Sequence, residues 1–242
     1  MSSQRTQSVH KNSHEYTFIS PWLDELTFEW SQLEQIGTPL EYKKNEIVFH
    51  YHDPADSIYL IKKGRVRLYL ISSLGDEKAI AIIGKNGILG ESSTYQQQHT
   101  YFASAITASP TSLVKIHPAA FKEAIMGNPV YTQQVLEMMS LKVRLLSQHS
   151  LQLAFYSSFQ RVCQTLVQLG LTYGERLPSN RVKISIPFTH QELANLVGTS
   201  RVTVANHVKA LLDNQTITKN KKYYTINDME QLTSQSLLST RA

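Results

Sequence analysis

The stretch Thr189 to Leu212, THQELANLVGTSRVTVANHVKALL, reads as two short amphipathic helices joined by a tight turn. It opens on Thr189-His190-Gln191-Glu192, a capping box in which the threonine oxygen can accept the backbone N–H of Glu192 while that carboxylate reaches back to Thr189. Leu193, Leu196 and Val197 give the first helix an apolar face, and Ala194 is small enough to let a second helix cross closely. Gly198 permits the turn, because glycine accepts backbone angles that strain other residues. Thr199 or Ser200 can cap the second helix, where Val204, Val208 and Leu211 recur at i, i+4 and i+7 and should face a core.

The outward face of that second helix carries Arg201, Val202, Thr203 and Asn206 near its amino-terminal end. A helix-turn-helix presents this end to the DNA major groove. Arg201 can donate to guanine O6 and N7 or clamp a phosphate, Asn206 can pair with adenine, and Val202 can pack on a thymine methyl. Thr189, Gln191, Thr199, Ser200 and Thr203 suit phosphate contacts, which set position without reading sequence, with Lys209 in the same role. Downstream, Thr216-Ile217-Thr218 and Tyr223-Tyr224-Thr225-Ile226 flank Lys219-Asn220-Lys221-Lys222 and read as a two-stranded wing, with Lys221 and Lys222 as further backbone contacts. Double-stranded DNA is the expected partner.

Charge agrees with this placement. The formal net charge is +5, yet residues 1–157 hold fourteen basic and fourteen acidic side chains, so the whole excess lies downstream of Ser157. Phosphate binding requires such localisation, since neutralising phosphates releases condensed counterions. Hydrophobic content of 41% over 242 residues suffices for one large or two modest domains. Cys163 is the only cysteine, which excludes an intrachain disulfide, a four-thiolate zinc site and a cysteine-ligated iron–sulfur cluster; its neighbours Val162 and Leu166 suggest a buried packing role. The first sixteen residues lack the apolar run of a secretory signal, and no later run approaches the ~20 apolar residues of a membrane span, so a soluble, cytoplasmic protein without membrane contact is expected.

Upstream, Leu40 to Lys115 reads as short strands of a sandwich or barrel: Ile47, Ile58 to Ile61, Val66 to Leu70 and Ala79 to Ile83 are the apolar pieces. Lys62-Lys63-Gly64, Ser73-Leu74-Gly75-Asp76 and Lys85-Asn86-Gly87 read as hairpin turns. After His117-Pro118 the period becomes helical, with a short helix over Pro118 to Met126, a break at Gly127-Asn128-Pro129 and a long helix to about Phe155. In that helix Leu136, Met139, Val143, Leu146, Ser150 and Leu153 alternate at three- and four-residue spacing, the seam of a parallel helix pair; packing on the helix's own domain is the alternative. Ser157-Ser158 marks a hinge or helix boundary, a helix is expected over Phe159 to Leu171, and Tyr173 to Asn180 reads as a loop.

In this order, with Glu46 to Leu70 carrying Asp53, Ala55-Asp56 and Gly64, then Gly90-Glu91, a long helix and Thr189 to Leu212, the chain resembles the Crp/Fnr family of bacterial transcription regulators from about Ser20 onward. The resemblance implies an α+β fold: an antiparallel, jelly-roll-like β-roll that binds an effector, a long dimerisation helix, and a winged helix-turn-helix that binds palindromic DNA as a homodimer, with RNA polymerase as a further partner. Domain limits follow as a polar arm over 1–20, a β-roll over 21–128, the dimerisation helix and hinge over 129–157, and the DNA-binding domain over 158–242. The family's cyclic-nucleotide binders follow Gly-Glu with an Arg-Ser pair for the phosphate; here Tyr101 and Phe102 stand at those places, which argues against cyclic AMP. Its oxygen sensors need several cysteines. His99 is available as a haem ligand but reads as an ordinary polar residue, His50 and His52 read as a surface pair, and His52 stands where many relatives have a turn glycine.

Within the family the chain is most similar to the halorespiration regulators of the CprK type, which respond to ortho-chlorinated phenols. Tyr95 to Ala105 keeps their pocket spacing, Val202-Thr203-Val204 resembles their recognition helix, and Lys142 matches a lysine that contacts the phenolic oxygen. The implied effector, a small aromatic, would meet Gly90, Glu91, Tyr95, Tyr101, Phe102, Lys142 and Leu146. Ala81 and Ile82 stand near the place of an expected tyrosine partner, and Asn206 replaces an arginine. No catalytic triad, phosphate loop, metal set or cofactor motif has convincing spacing, so no enzyme and no cofactor is expected. The competing class is a small-molecule or cyclic-nucleotide signalling module whose helical carboxy-terminal domain binds protein.

Overall fold

Short apolar runs between Trp22 and Ile116 build two sheets whose inner faces share one core in the computed structural model, which describes residues 20–24 and 26–237. The polar arm expected over 1–20 lies outside the described residues apart from Ser20. One sheet runs β1 (Trp22–Leu23), β6 (Glu77–Ile83), β5 (Val66–Ile71), β8 (Ser104–Thr107), β3 (Ile47–Phe49). The other runs β2 (Thr38–Tyr42), β9 (Thr111–Ile116), β4 (Ile58–Lys63), β7 (Ile88–Leu89). Pairing is antiparallel except where β1 lies parallel to β6, Trp22 opposite Ile82. Ile58, Ile61, Val66, Ile83, Leu89 and Leu113 are buried between the sheets, and Leu33 of α1 (Ser31–Ile36) and Phe121 of α2 (Pro118–Gly127) join them. Burying each such side chain contributes about 1.5–3 kcal/mol.

Two turns differ from the sequence reading. Lys62-Lys63-Gly64 and Lys85-Asn86-Gly87 close no hairpin: β4 and β5 lie in different sheets, as do β6 and β7, so both turns carry the chain across the core. Gly64 and Asn86 have positive φ, which a sheet-switching corner needs as much as a hairpin does. Ser73 to Asp76 does close the β5–β6 hairpin.

Asn128 caps α3 (Pro129–Phe155) by accepting from the Val130 and Tyr131 backbone, with Pro129 in the first turn. This helix has two apolar stripes. Tyr131, Val135, Met138 and Leu145 are buried against the β-roll, whereas Leu136, Val143, Leu146 and Leu153 on the expected seam are 60%, 62%, 40% and 49% exposed. Ser157 then forms a full capping box for α4 (Ser158–Tyr173), one residue earlier and two later than expected.

The remaining chain wraps α4 with α5 (His190–Val197), α6 (Arg201–Asp213), α7 (Met229–Ser236) and a sheet ordered β10 (Gly174–Arg176), β11 (Val182–Ile184), β13 (Tyr223–Ile226), β12 (Ile217–Asn220). The loop expected over Tyr173 to Asn180 is thus partly strand, because Glu175 pairs with Lys183 and Arg176 with Val182. Cys163 is fully buried in this second core, and burial pushes its thiol up to about 12, leaving it protonated and inert. Trp22 and Ala79 of the β-roll are buried in the same core, so the two domains are packed together. No helix among the described residues is long and apolar enough to cross a membrane.

Candidate nucleic-acid interface and effector pocket

The capping box at Thr189 forms as the sequence implies: its hydroxyl oxygen accepts the Glu192 backbone N–H at 3.1 Å, and Glu192 Oε2 accepts the Thr189 N–H at 2.7 Å. Gly198 ends α5 in the left-handed region at φ 68°, and Ser200 caps α6 by accepting the Thr203 N–H at 3.0 Å. Val204, Val208 and Leu211 turn into the core. The turn therefore leaves Arg201, Val202 and Asn206 exposed, with Thr203 and Thr199 half-buried. Val202 is 68% exposed, and an aliphatic side chain held in water on this face has surface to gain by meeting a thymine methyl.

Beside it the wing β12–β13 turns through Lys221 at φ 53°. A concavity of about 500 Å³ joins the start of α5, Arg201 and the wing, lined by Thr189, Gln191, Arg201, Lys219, Lys221 and Lys222 among others. Lys219, absent from the expected contacts, lies over the Tyr224 ring at 5.1 Å and faces this space; the alternation of a strand through Ile217 is the signal that would have found it. His190, also lining it, shares a hydrogen bond of 3.0 Å with Tyr224 Oη and is shifted below the usual histidine range by burial and then by Lys219 and Arg201. The positive potential therefore comes from arginine and lysine. Lys209 is exposed further along α6.

Three expected contacts are already engaged. Gln191 Nε2 donates to Asn195 Oδ1 at 2.7 Å, and the hydroxyls of Ser200 and Thr203 lie 2.8 Å apart.

At the other candidate site Gly90 adopts φ 83°, and a Cβ there would sit 2.9 Å from both the Ser57 carbonyl and the Tyr101 ring, so only glycine fits. This corner drives Glu91 inward until it is 1% exposed, and its Oε1 meets Lys142 Nζ of α3 at 2.5 Å. The same ammonium donates to the Ile88 carbonyl at 3.0 Å. Tyr101 stacks on Phe49 with ring centroids 3.8 Å apart and donates to the Ser57 carbonyl at 2.7 Å; burial raises its pKa. Phe102 is half-buried against the core. Gly90, Glu91, Tyr101 and Lys142 are thus gathered round one corner, whereas Tyr95 and Leu146 are exposed.

That corner is polar beyond its ion pair. Glu91 Oε2, Ser92 Oγ, Ser93 Oγ and Thr94 Oγ1 are buried with no hydrogen-bond partner, on four consecutive residues of the 3-10 turn Glu91–Tyr95. Leaving such a group unpaired costs about 1–3 kcal/mol, so the run is poised for a partner. His50 and His52 are exposed, and His52 takes φ 67°, as a position suited to glycine requires. Among the described residues no three His, Cys, Asp or Glu side chains are grouped to hold a metal.

Two domain families match the chain. Residues 39–128 match the cyclic nucleotide-binding domain family, and residues 160–234 match the Crp-like helix-turn-helix domain family. The chain is 26% identical over 211 residues to an anaerobic regulatory protein of Pasteurella multocida, covering 85% of this chain and 76% of that one. Its fold is similar to that of CLP, described as a c-di-GMP responsive global regulator of Xanthomonas campestris, with TM-score 0.74, 19% identity and coverage of 82% and 97%. It is also similar to a CprK protein complexed with OCPA, with TM-score 0.71, 17% identity and coverage of 89% and 97%. The CprK likeness is no greater than the CLP likeness, so the fold does not single out that branch.

Proposed function

We propose that this chain is an effector-responsive transcription regulator of the Crp/Fnr family that binds a palindromic operator as a homodimer under control of a small aromatic effector. The observation that carries the DNA reading is the exposed face of Arg201, Val202 and Asn206 set beside a wing of Lys219, Lys221 and Lys222. With α3 paired along its exposed stripe, two recognition helices would meet half-sites about 34 Å apart, and RNA polymerase is the partner proposed at the promoter.

Support for an effector lies in the run of unpartnered polar atoms from Glu91 to Thr94, and support for an aromatic one in the rings of Phe49, Tyr101 and Phe102 nearby. A hydroxylated aromatic suits both, and halogenated phenols are the class to test. The phenolic oxygen would meet the Lys142–Glu91 pair rather than a bare ammonium. An effector bound against α3 needs only a few kcal/mol of preference between two dimer arrangements to switch operator binding.

The salt dependence of DNA affinity tests the reading. With several lysines per protomer on the interface, affinity should fall about a thousandfold or more between about 50 and 200 mM salt. An affinity unchanged over that range would instead favour the protein-binding module. Thermal shifts with halogenated phenols, plain phenols and cyclic nucleotides sort the effector class, since a ligand of the folded state raises its melting temperature. No shift with any phenol would remove the aromatic reading. Arg201→Ala should cost about 1–3 kcal/mol at its own base pair and relax discrimination there. Competition binding with single-base operator variants checks this, and equal loss on every sequence would reassign Arg201 to phosphate.

A further inference from the structure

The β-roll grips the first helix of the helix-turn-helix through the start of β6. Asn195 Nδ2 donates to Glu77 Oε2 at 2.8 Å, and Lys78 Nζ donates to the Leu196 carbonyl at 2.6 Å. Glu77 is held in turn by Arg67 Nη1 at 2.6 Å, and Asn195 Oδ1 accepts from Gln191 at 2.7 Å. A hydrogen-bonded relay therefore runs Arg67, Glu77, Asn195, Gln191, from the β5–β6 hairpin of one domain to an exposed side chain of the other. At its carboxy-terminal end α5 presents the Leu196, Val197 and Gly198 carbonyls to two cations, Lys78 from the β-roll and Arg161 from α4, whose Nε reaches Val197 at 2.7 Å and Nη2 reaches Gly198 at 3.3 Å. Cations are favoured at that end of a helix.

We propose that this contact is an autoinhibitory latch: β6 holds the helix-turn-helix in a placement that resists DNA, and releasing Glu77 and Lys78 from α5 raises DNA affinity in the absence of effector. The inference rests on the DNA-binding reading of α5 and α6. One of the two amide N–H groups of Gln191 is committed to Asn195, which the latch keeps oriented, so the side chain is not free to follow a phosphate. The β5–β6 hairpin also stands across a cleft of about 940 Å³ from the start of α6, with Asp76 and Glu77 on one wall and Thr199, Ser200 and Arg201 on the other. Glu77 is neutralised by Arg67 and Lys78 lines the same cleft, so Asp76 is the carboxylate on that wall that repels an incoming backbone.

Docking Lys78 in this way has a cost. Burial, with Arg161 nearby, brings the Lys78 amine down to about 8, so its docked ammonium carries a desolvation penalty that offsets part of the bond it makes.

The test compares effector-free parent, Lys78→Glu and the net-neutral swap Glu77→Lys/Lys78→Glu on a palindromic duplex selected from a random pool by the parent at low salt. Both variants should bind about tenfold tighter or more, and Lys78→Glu does so against the direction of its charge change, which separates release from added attraction. Lys78→Arg keeps the cation and should bind as the parent does. If Lys78→Glu does not fold, the swap alone decides. Parental affinity or weaker binding in the folded variants overturns the latch, whereas failure of the parent to select any duplex overturns the DNA reading beneath it.

Discussion

Replacing Val143 and Leu146 together by glutamate is expected to convert the protein to monomers and to weaken binding to a palindromic duplex by about 10²–10⁴-fold. Both residues lie on the outward stripe of α3, 62% and 40% exposed within the chain, so the substitutions remove no packing from the protomer's own core. The buried stripe of Val135, Met138 and Leu145 stays intact. Across a paired seam the same substitutions would set two pairs of like charges face to face in place of apolar contact.

The size of the effect follows from joint binding. A dimer that holds two recognition helices at the half-site spacing makes the second contact intramolecular, and that gain disappears with the pairing. The monomer should retain half-site affinity, since Arg201, Asn206 and the wing are untouched. Sedimentation of parent and variant at micromolar concentration, together with binding to full and half operators, checks both parts. A variant that remains dimeric would place the interface elsewhere.

The legible parts of the molecule are those specified by neighbours in sequence. Thr189 and Glu192 satisfy each other across three residues, Asn128 and Pro129 start α3 locally, and the wing is a tight antiparallel pair, so each signal is complete within a few positions. Turn chemistry is local as well, but what it joins is not. Gly64 and Asn86 announce positive φ, and only the packing of two sheets decides that the strands on either side separate. The strand β10 escapes notice because Gly174, Glu175 and Arg176 are all exposed and carry no alternation. At the effector corner, Gly90-Glu91 and Lys142 are separately readable, but their ion pair bridges 51 residues and depends on how α3 lies against the β-roll. The grip of Lys78 on Leu196 spans 118 residues and has no sequence signal.

That long-range pair governs the second large effect. Lys142→Met should destabilise the protein by about 3–5 kcal/mol, because it leaves the Glu91 carboxylate buried without its cation. Loss of the bond to the Ile88 carbonyl adds to it. For a chain of this length, roughly 2–4 °C per kcal/mol corresponds to a melting temperature about 6–20 °C lower. Glu91→Gln in the same background should recover most of the loss, since a neutral amide no longer requires a counter-charge and keeps the shape of the corner. The double-mutant cycle thereby separates two roles for Lys142. If it acts only as the partner of Glu91, Lys142→Met/Glu91→Gln restores both stability and any effector response. If the effector touches the ammonium, stability returns while the response does not. Equal melting temperatures for parent and Lys142→Met would show that the pair contributes nothing to the fold, and the effector corner would then have to be built around Tyr101 and the hydroxyls of Ser92 to Thr94 alone.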